Sequence, residues 1–424
     1  TPLVSDAPTP AQVAEATVPP ATETPEVSEP AVASSTTPDQ NPGESTTEAP
    51  TSATTEPAPT SPPASGKPVS MRSPDYGMQA FLWWRPEVAQ RDMELVRDAG
   101  FGWVKQAFAW REIEGTGKGQ FDWTVTDRIV DQAESIGLHM IARLDTDPTW
   151  ASGRSYPNNE DVIMSPPTKN KDYADFCFAV ASRYKGRIAA YQIWNEPNLK
   201  REWGGNAPDP AGYVALLKAG RRAIKRADPN AIIISAGLAP TTRSDDVAMP
   251  DTEFLRQMYA AGAQPHFDAL GAHGAGYKAP PEKDPAEVAN DPNFFNHGDP
   301  YCPGPACRIY CFRHVEDLHQ IMVDNGDTQK KVVVLEFGWT MDSREGSPYA
   351  WHAVSEEMQA AYFTRAYKYA KENWQPWIGI MSLIYMPNID WTEDDEQFWW
   401  SIAAPNYPQF YPYKAYRDLA VMPK

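Results

Sequence analysis

The chain has 424 residues, 49 of them aromatic, and a formal net charge of −18. Residues 1–70 hold 15 Pro, 13 Thr and no aromatic residue, so they cannot bury enough apolar surface to offset chain entropy. They carry nine acids and one Lys, −8 of the total, which leaves −10 on the remainder. An acidic body without a basic cluster excludes nucleic acid and anionic membrane surfaces as partners. No apolar run reaches the roughly 18–20 residues of a membrane span.

Residues 1–70 are expected to be a disordered Pro/Thr/Ser/Glu-rich linker, and residues 71–424 one catalytic domain. The chain opens at Thr1 with no visible signal peptide. The leader reads as a spacer that tethers or extends an extracellular or cell-surface enzyme.

From residue 76 short apolar runs alternate with longer amphipathic ones. Strands are predicted to begin near Tyr76, Trp103, His139, Ala189, Ala231, Phe267, Val332 and Ile378. Continuous runs such as Ile232-Ile233-Ile234 and Val332-Val333-Val334-Leu335 suit parallel strands buried on both faces. Val125, Ile129, Ala133 and Ile136 share one helical face. Thr124 and Asp127 predict a capping box at its start, and Gly137 a stop. Further helices are predicted over Pro210–Ala227 and about Ser355–Lys371. Eight strands, each followed by a helix-sized segment, predict a (β/α)8 TIM barrel, class α/β. An open doubly wound sheet would show a Gly-rich turn after its first strand, and Phe81-Leu82-Trp83-Trp84 is unlike one. Insertions at 145–170, 272–312 and 339–353 fall on the C-terminal rim, where barrel sites are built.

Two strands end in a carboxylate. The fourth runs Tyr191-Gln192-Ile193-Trp194-Asn195-Glu196-Pro197, the seventh Val332-Val333-Val334-Leu335-Glu336-Phe337-Gly338-Trp339. Two carboxyl groups facing one another meet the needs of glycoside hydrolysis. One, protonated, assists the leaving oxygen; the other, ionised, attacks or activates water.

These stretches resemble the paired signatures of clan A retaining glycoside hydrolases. The resemblance implies that Glu196 is the acid/base, Glu336 the nucleophile, and Asn195 a ligand of the sugar 2-hydroxyl. Trp110-Arg111-Glu112-Ile113-Glu114, Phe121-Asp122-Trp123 and Pro148-Thr149-Trp150 extend the likeness to glycoside hydrolase family 39 and related family 5 proteins. Two features depart from the pattern. Lys105 stands on the second strand where many relatives carry Arg. The sixth strand reads His273-Gly274-Ala275-Gly276-Tyr277, whereas relatives often place His and Tyr two apart. His273 and Tyr277 are nevertheless candidate site residues, Tyr277 as a support for the nucleophile.

Aromatic faces stack on sugar C–H faces, so Trp150, Trp339 and Trp391 are candidate substrate contacts. The acidic run Glu393-Asp394-Asp395-Glu396 lacks regular cation-ligand spacing and reads as a solvated loop. Cys302, Cys307 and Cys311 are expected to hold one disulfide, and Cys177 to be a buried free thiol. His297 and His314 flank the trio, but the spacing matches no zinc signature. The chemistry needs no cofactor and no metal. The expected activity is double-displacement hydrolysis of an oligo- or polysaccharide. The alternatives are a transglycosylase using the same intermediate and a carbohydrate-binding barrel without catalysis.

Overall fold

A computed structural model describes residues 69–154, 162–302 and 304–424. The expected linker falls almost wholly outside the described residues. Eight strands close into a parallel barrel: β1 Asp75–Gln79, β2 Trp103–Ala109, β3 His139–Asp145, β4 Ala190–Ile193, β5 Ile232–Ile234, β6 Ala269–Ala275, β7 Lys331–Gly338 and β8 Ile378–Leu383. β1 pairs with β8 as well as β2, so no edge is left open. This is the TIM barrel expected from the alternating pattern.

Side-chain alternation divides the strands into two faces. Outward residues such as Val104, Met140, Tyr191, Leu270, Val332 and Met381 pack against the helices in the main core. Inward residues fill the barrel in layers. The lower layer is apolar, with Trp103, Ile141, Ala190, Ile234, Ala269, Val333, Leu335 and Ile380 in one cluster. Val69 and Met71 pack against it from the N-terminal side. Two residues further along the strands the same inward face turns polar: Lys105 follows Trp103, Arg143 follows Ile141 and Gln192 follows Ala190. All three are buried. The change marks where a plug of hydrocarbon ends and a chemical site begins.

β7 breaks the alternation once. Ala272 pairs with Val334 but His273 pairs with Glu336, so Leu335 is an extra, bulged residue. Leu335 and Glu336 therefore both face inward, one in the apolar plug and one in the polar layer. Leu335 fits because Gly271 faces it. A Cβ at 271 would lie 2.7 Å from the Leu335 side chain and 2.2 Å from the Ser235 carbonyl oxygen.

The helices Thr124–Ile136 and Pro210–Ala227 fall where the periodicity put them, and Ser355 caps a helix over Glu356–Asn373. Gly137 takes the left-handed conformation that stops the first. The capping box at its start does not form. Trp123 occupies the cap position, the Thr124 N–H donates to Asp122, and Asp127 is drawn away by Arg183 and Tyr184. A bidentate guanidinium outcompetes a backbone N–H for that carboxylate.

Candidate active site

Glu196 and Glu336 meet at the C-terminal mouth of the barrel, bridged by His273. His273 Nδ1 lies 2.9 Å from Glu196 Oε1 and 3.9 Å from Glu336 Oε2. One nitrogen reaching both sets the two oxygens no more than about 7 Å apart, which admits the ~5–5.5 Å carboxyl spacing of retaining glycosidases. His273 has room because Gly237 follows β5: a Cβ there would come within 2.1 Å of Nε2. The Gly237 carbonyl also accepts the Glu196 N–H, at 3.1 Å.

Different backbone devices deliver the two carboxylates. Glu336 is turned inward by the bulge in β7. Glu196 follows a kink in which Trp194 and Glu196 both have positive φ, 69° and 32°. Neither is Gly, so the surroundings must hold this strain, a pattern concentrated at functional sites. Trp194 is fixed by its indole N–H donating to the Glu202 carbonyl and by packing on Tyr173 and Trp203.

Electrostatics fix the charge of Glu336. Burial alone would raise the pKa of Glu336. Lys105, His273 and Arg143 outweigh it and hold the carboxyl at about 2. Lys105 Nζ donates to Glu336 Oε1 at 2.7 Å and to Gln79 Oε1 at 2.7 Å, and Arg143 Nη1 lies 3.7 Å from the same Glu336 oxygen. Arg143 is itself anchored by Asp145 at 2.6 Å. Glu336 is thus an anion at any ordinary pH, with Oε2 left without a hydrogen-bond partner in the structure. Glu196 is met by His273 and, at 3.5 Å from Oε2, by Arg201.

Asn195 is buried beside Glu196, with Gln192 donating to its side-chain oxygen at 3.3 Å. Trp391 packs on Phe81 and Tyr385 at 4.6 and 5.4 Å between ring centroids. Its indole nitrogen has no partner in the structure. The Tyr385 hydroxyl, also without a partner there, has its pKa raised by burial and by Glu336, Glu396 and Glu196. The other aromatic candidates are held by partners within the protein. Trp339 is fully buried behind β7, donating to the Ala279 carbonyl and packing on Phe312 and Phe363. Trp150 donates to the Glu114 carbonyl and packs edge-on against Trp110. Tyr277 packs on Tyr310 and Trp351, and its hydroxyl faces the Pro240 carbonyl at 3.4 Å. Nothing joins it to Glu336 by a hydrogen bond; Lys105 fills that supporting position.

Several residues of the site escaped the motif reading. Arg143 and Tyr385 carry no motif, although inward alternation from Ile141 points to Arg143. Glu396 ends an acidic run that looks fully solvated. Glu393 and Asp394 are exposed, yet Glu396 turns in to bond Tyr349 and the Trp400 indole N–H. Cys302 and Cys307 form the disulfide, while Cys177 and Cys311 are free and buried. His314 is bound by Asp251 at 2.8 Å and Asp317 at 3.2 Å. No cluster able to hold a metal occurs among the described residues.

Residues 63–295, more than half of the chain, match the family described as cellulase, glycosyl hydrolase family 5. The chain belongs to that family. A curated β-xylosidase of Geobacillus stearothermophilus is 27% identical over 180 residues, 41% of this chain and 34% of that protein. The chain thus spans about a third of the length of the curated relative it matches. Among solved structures, a family 39 glycoside hydrolase from Bacteroides cellulosilyticus WH2 superposes with a TM-score of 0.57 at 21% identity, covering 83% of this chain and 63% of that one. A family 39 β-xylosidase from Caulobacter crescentus gives 0.54 at 17% identity, covering 84% and 72%. These structures share the fold.

Proposed function

We propose that the protein is a retaining glycosidase that cleaves O-glycosidic bonds of an oligo- or polysaccharide by double displacement. The carrying observation is the asymmetry of the pair: Glu336 is kept ionised by Lys105 and Arg143, while Glu196 is bridged to it through His273. In this reading Glu336 attacks the anomeric carbon as Glu196 gives its proton to the leaving oxygen. Glu196 then takes a proton from water, which releases the sugar with net retention. Asn195 orients the sugar from beside Glu196, and Trp391 offers a stacking face. Trp150, Trp339 and Tyr277 stand as further candidate contacts on the rim, Tyr277 near enough to Glu196 to feel its charge.

The names of the relatives make β-xylosides the first substrates to test. The disulfide favours work in an oxidising compartment, outside the cell or at its surface, with residues 1–70 as the tether. Among the described residues no helix is long and apolar enough to cross a membrane. The test is a panel of aryl glycosides and polysaccharides, with the anomer of the first-formed product read by NMR. Retained configuration supports the reading; inverted product or no turnover on the panel refutes it.

A further inference from the structure

The turn that positions Glu196 also brings a cation back over it. The Leu199 N–H donates to the Glu196 carbonyl at 2.9 Å, and a short 3-10 helix over Lys200–Glu202 follows. Arg201 is thereby folded onto the carboxylate five residues before it. Its Nη2 lies 3.5 Å from Glu196 Oε2 and 3.7 Å from Glu202 Oε1. The two acids are both nearly inaccessible to solvent.

A guanidinium beside an acid/base creates a difficulty. It favours the ionised carboxylate, which cannot protonate a leaving group. A second carboxyl at nearly the same distance removes the difficulty, because one cation then serves two acids. We infer that Arg201 is a shared counter-charge, pairing with Glu202 while Glu196 carries its proton and with Glu196 once that proton has gone to the leaving oxygen. Arg201 and Glu202 are positioning residues on this account, acting through Glu196. The inference rests on the proposed role of Glu196 as acid/base.

The surroundings agree. Burial first, and then the nearness of Glu196, pushes the Glu202 carboxyl well above the usual range, against the pull of Arg201 and Arg143. Glu202 thus feels both the charge of Glu196 and that of the guanidinium between them. Other groups face this pair from every side. β3 supplies Arg143 and Asp145, β6 supplies His273, and β7 supplies Glu336. Tyr277 and Tyr349 approach on the loops after β6 and β7. Tyr385 and Glu396 close the side after β8.

The test is the alkaline limb of the pH profile of kcat/KM, measured on a substrate with a poor leaving group. Glu202→Gln leaves Arg201 acting on Glu196 alone, so the limb should move to lower pH. Arg201→Met removes the cation, so the limb should move to higher pH, and Arg201→Lys should return it part of the way. Shifts of opposite sign are something loss of folding cannot produce. Shifts of the same sign, or none, overturn the inference. Glu196→Ala is the control. If it keeps the limb, Glu196 is not the acid/base. If it loses the limb while Glu202→Gln and Arg201→Met leave it in place, the shared counter-charge alone fails.

Discussion

Lys105 reaches across the barrel from β2 to β7 and donates to Glu336 at 2.7 Å, with neither side chain open to solvent. Without Lys105 the buried carboxylate would keep only Arg143, at 3.7 Å, and His273 to offset its charge. The amine also donates to Gln79 on β1, which fixes its direction.

Lys105→Met should therefore raise the pKa of Glu336 from about 2, by about 1–3 units, because burial then acts with less opposition. In the proposed mechanism Glu336 attacks as an anion, so the acid limb of kcat/KM should move to higher pH. A pH–rate profile on an aryl glycoside checks this, and an unmoved acid limb would contradict it.

The two carboxylates should give different mutant kinetics. Glu336→Gln should abolish turnover on every substrate, since no glycosyl-enzyme can form. Glu196→Ala should cost roughly 10²–10⁴ in rate on natural substrates and much less in the first step with a good aryl leaving group. Azide should rescue Glu196→Ala with retained configuration and Glu336 variants with inversion. An inverted azide from the Glu196 variant would exchange the roles.

His314 predicts a dependence of stability on pH. Burial opposes its charge, but Asp251 and Asp317 raise its pKa to about 10. A raised folded-state value stabilises fully below the unfolded value of about 6.5 and is lost as pH climbs through 10. Denaturation midpoints should fall over that window. His314→Asn should cost about 3–5 kcal/mol, since Asp251 is left buried and unpaired, and should flatten the dependence.

Alkylation separates the four cysteines. Unfolded without reductant, the chain should label two thiols, Cys177 and Cys311, and four after reduction. The native chain should label neither free thiol quickly. Both are buried, and burial pushes the Cys311 thiol up to about 12 and Cys177 higher still. Rapid native labelling would show that the surrounding loops open.

The barrel and its two strand-end acids were legible because each rests on local pattern. Parallel strands buried on both faces read as apolar runs; Glu336 closes a continuous one, and Glu196 follows one interrupted by Gln192 and Asn195. Side-chain company was less legible. Trp339 and Trp391 both follow strands, yet one turns into the helical layer and the other toward Phe81 and Tyr385. Spacing carries no information on that choice. The counter-ions Lys105, Arg143 and Arg201 come from separate segments, and only closure of the barrel sets them around the acids.

The extra residue in β7 has a cost on the neighbouring strand. Leu335 occupies the space that a side chain at 271 would need, and its own carboxylate-bearing neighbour is oriented by the same irregularity. Position 271 should therefore stay glycine among relatives whatever stands at 335, because a Cβ there would also lie 2.2 Å from the Ser235 carbonyl oxygen, which a smaller residue at 335 does not move. Gly271→Ala alone should impair catalysis from a position that faces Leu335 and Ser235 rather than either carboxylate. A smaller residue at 335 should not restore it, because the clash with the Ser235 backbone remains.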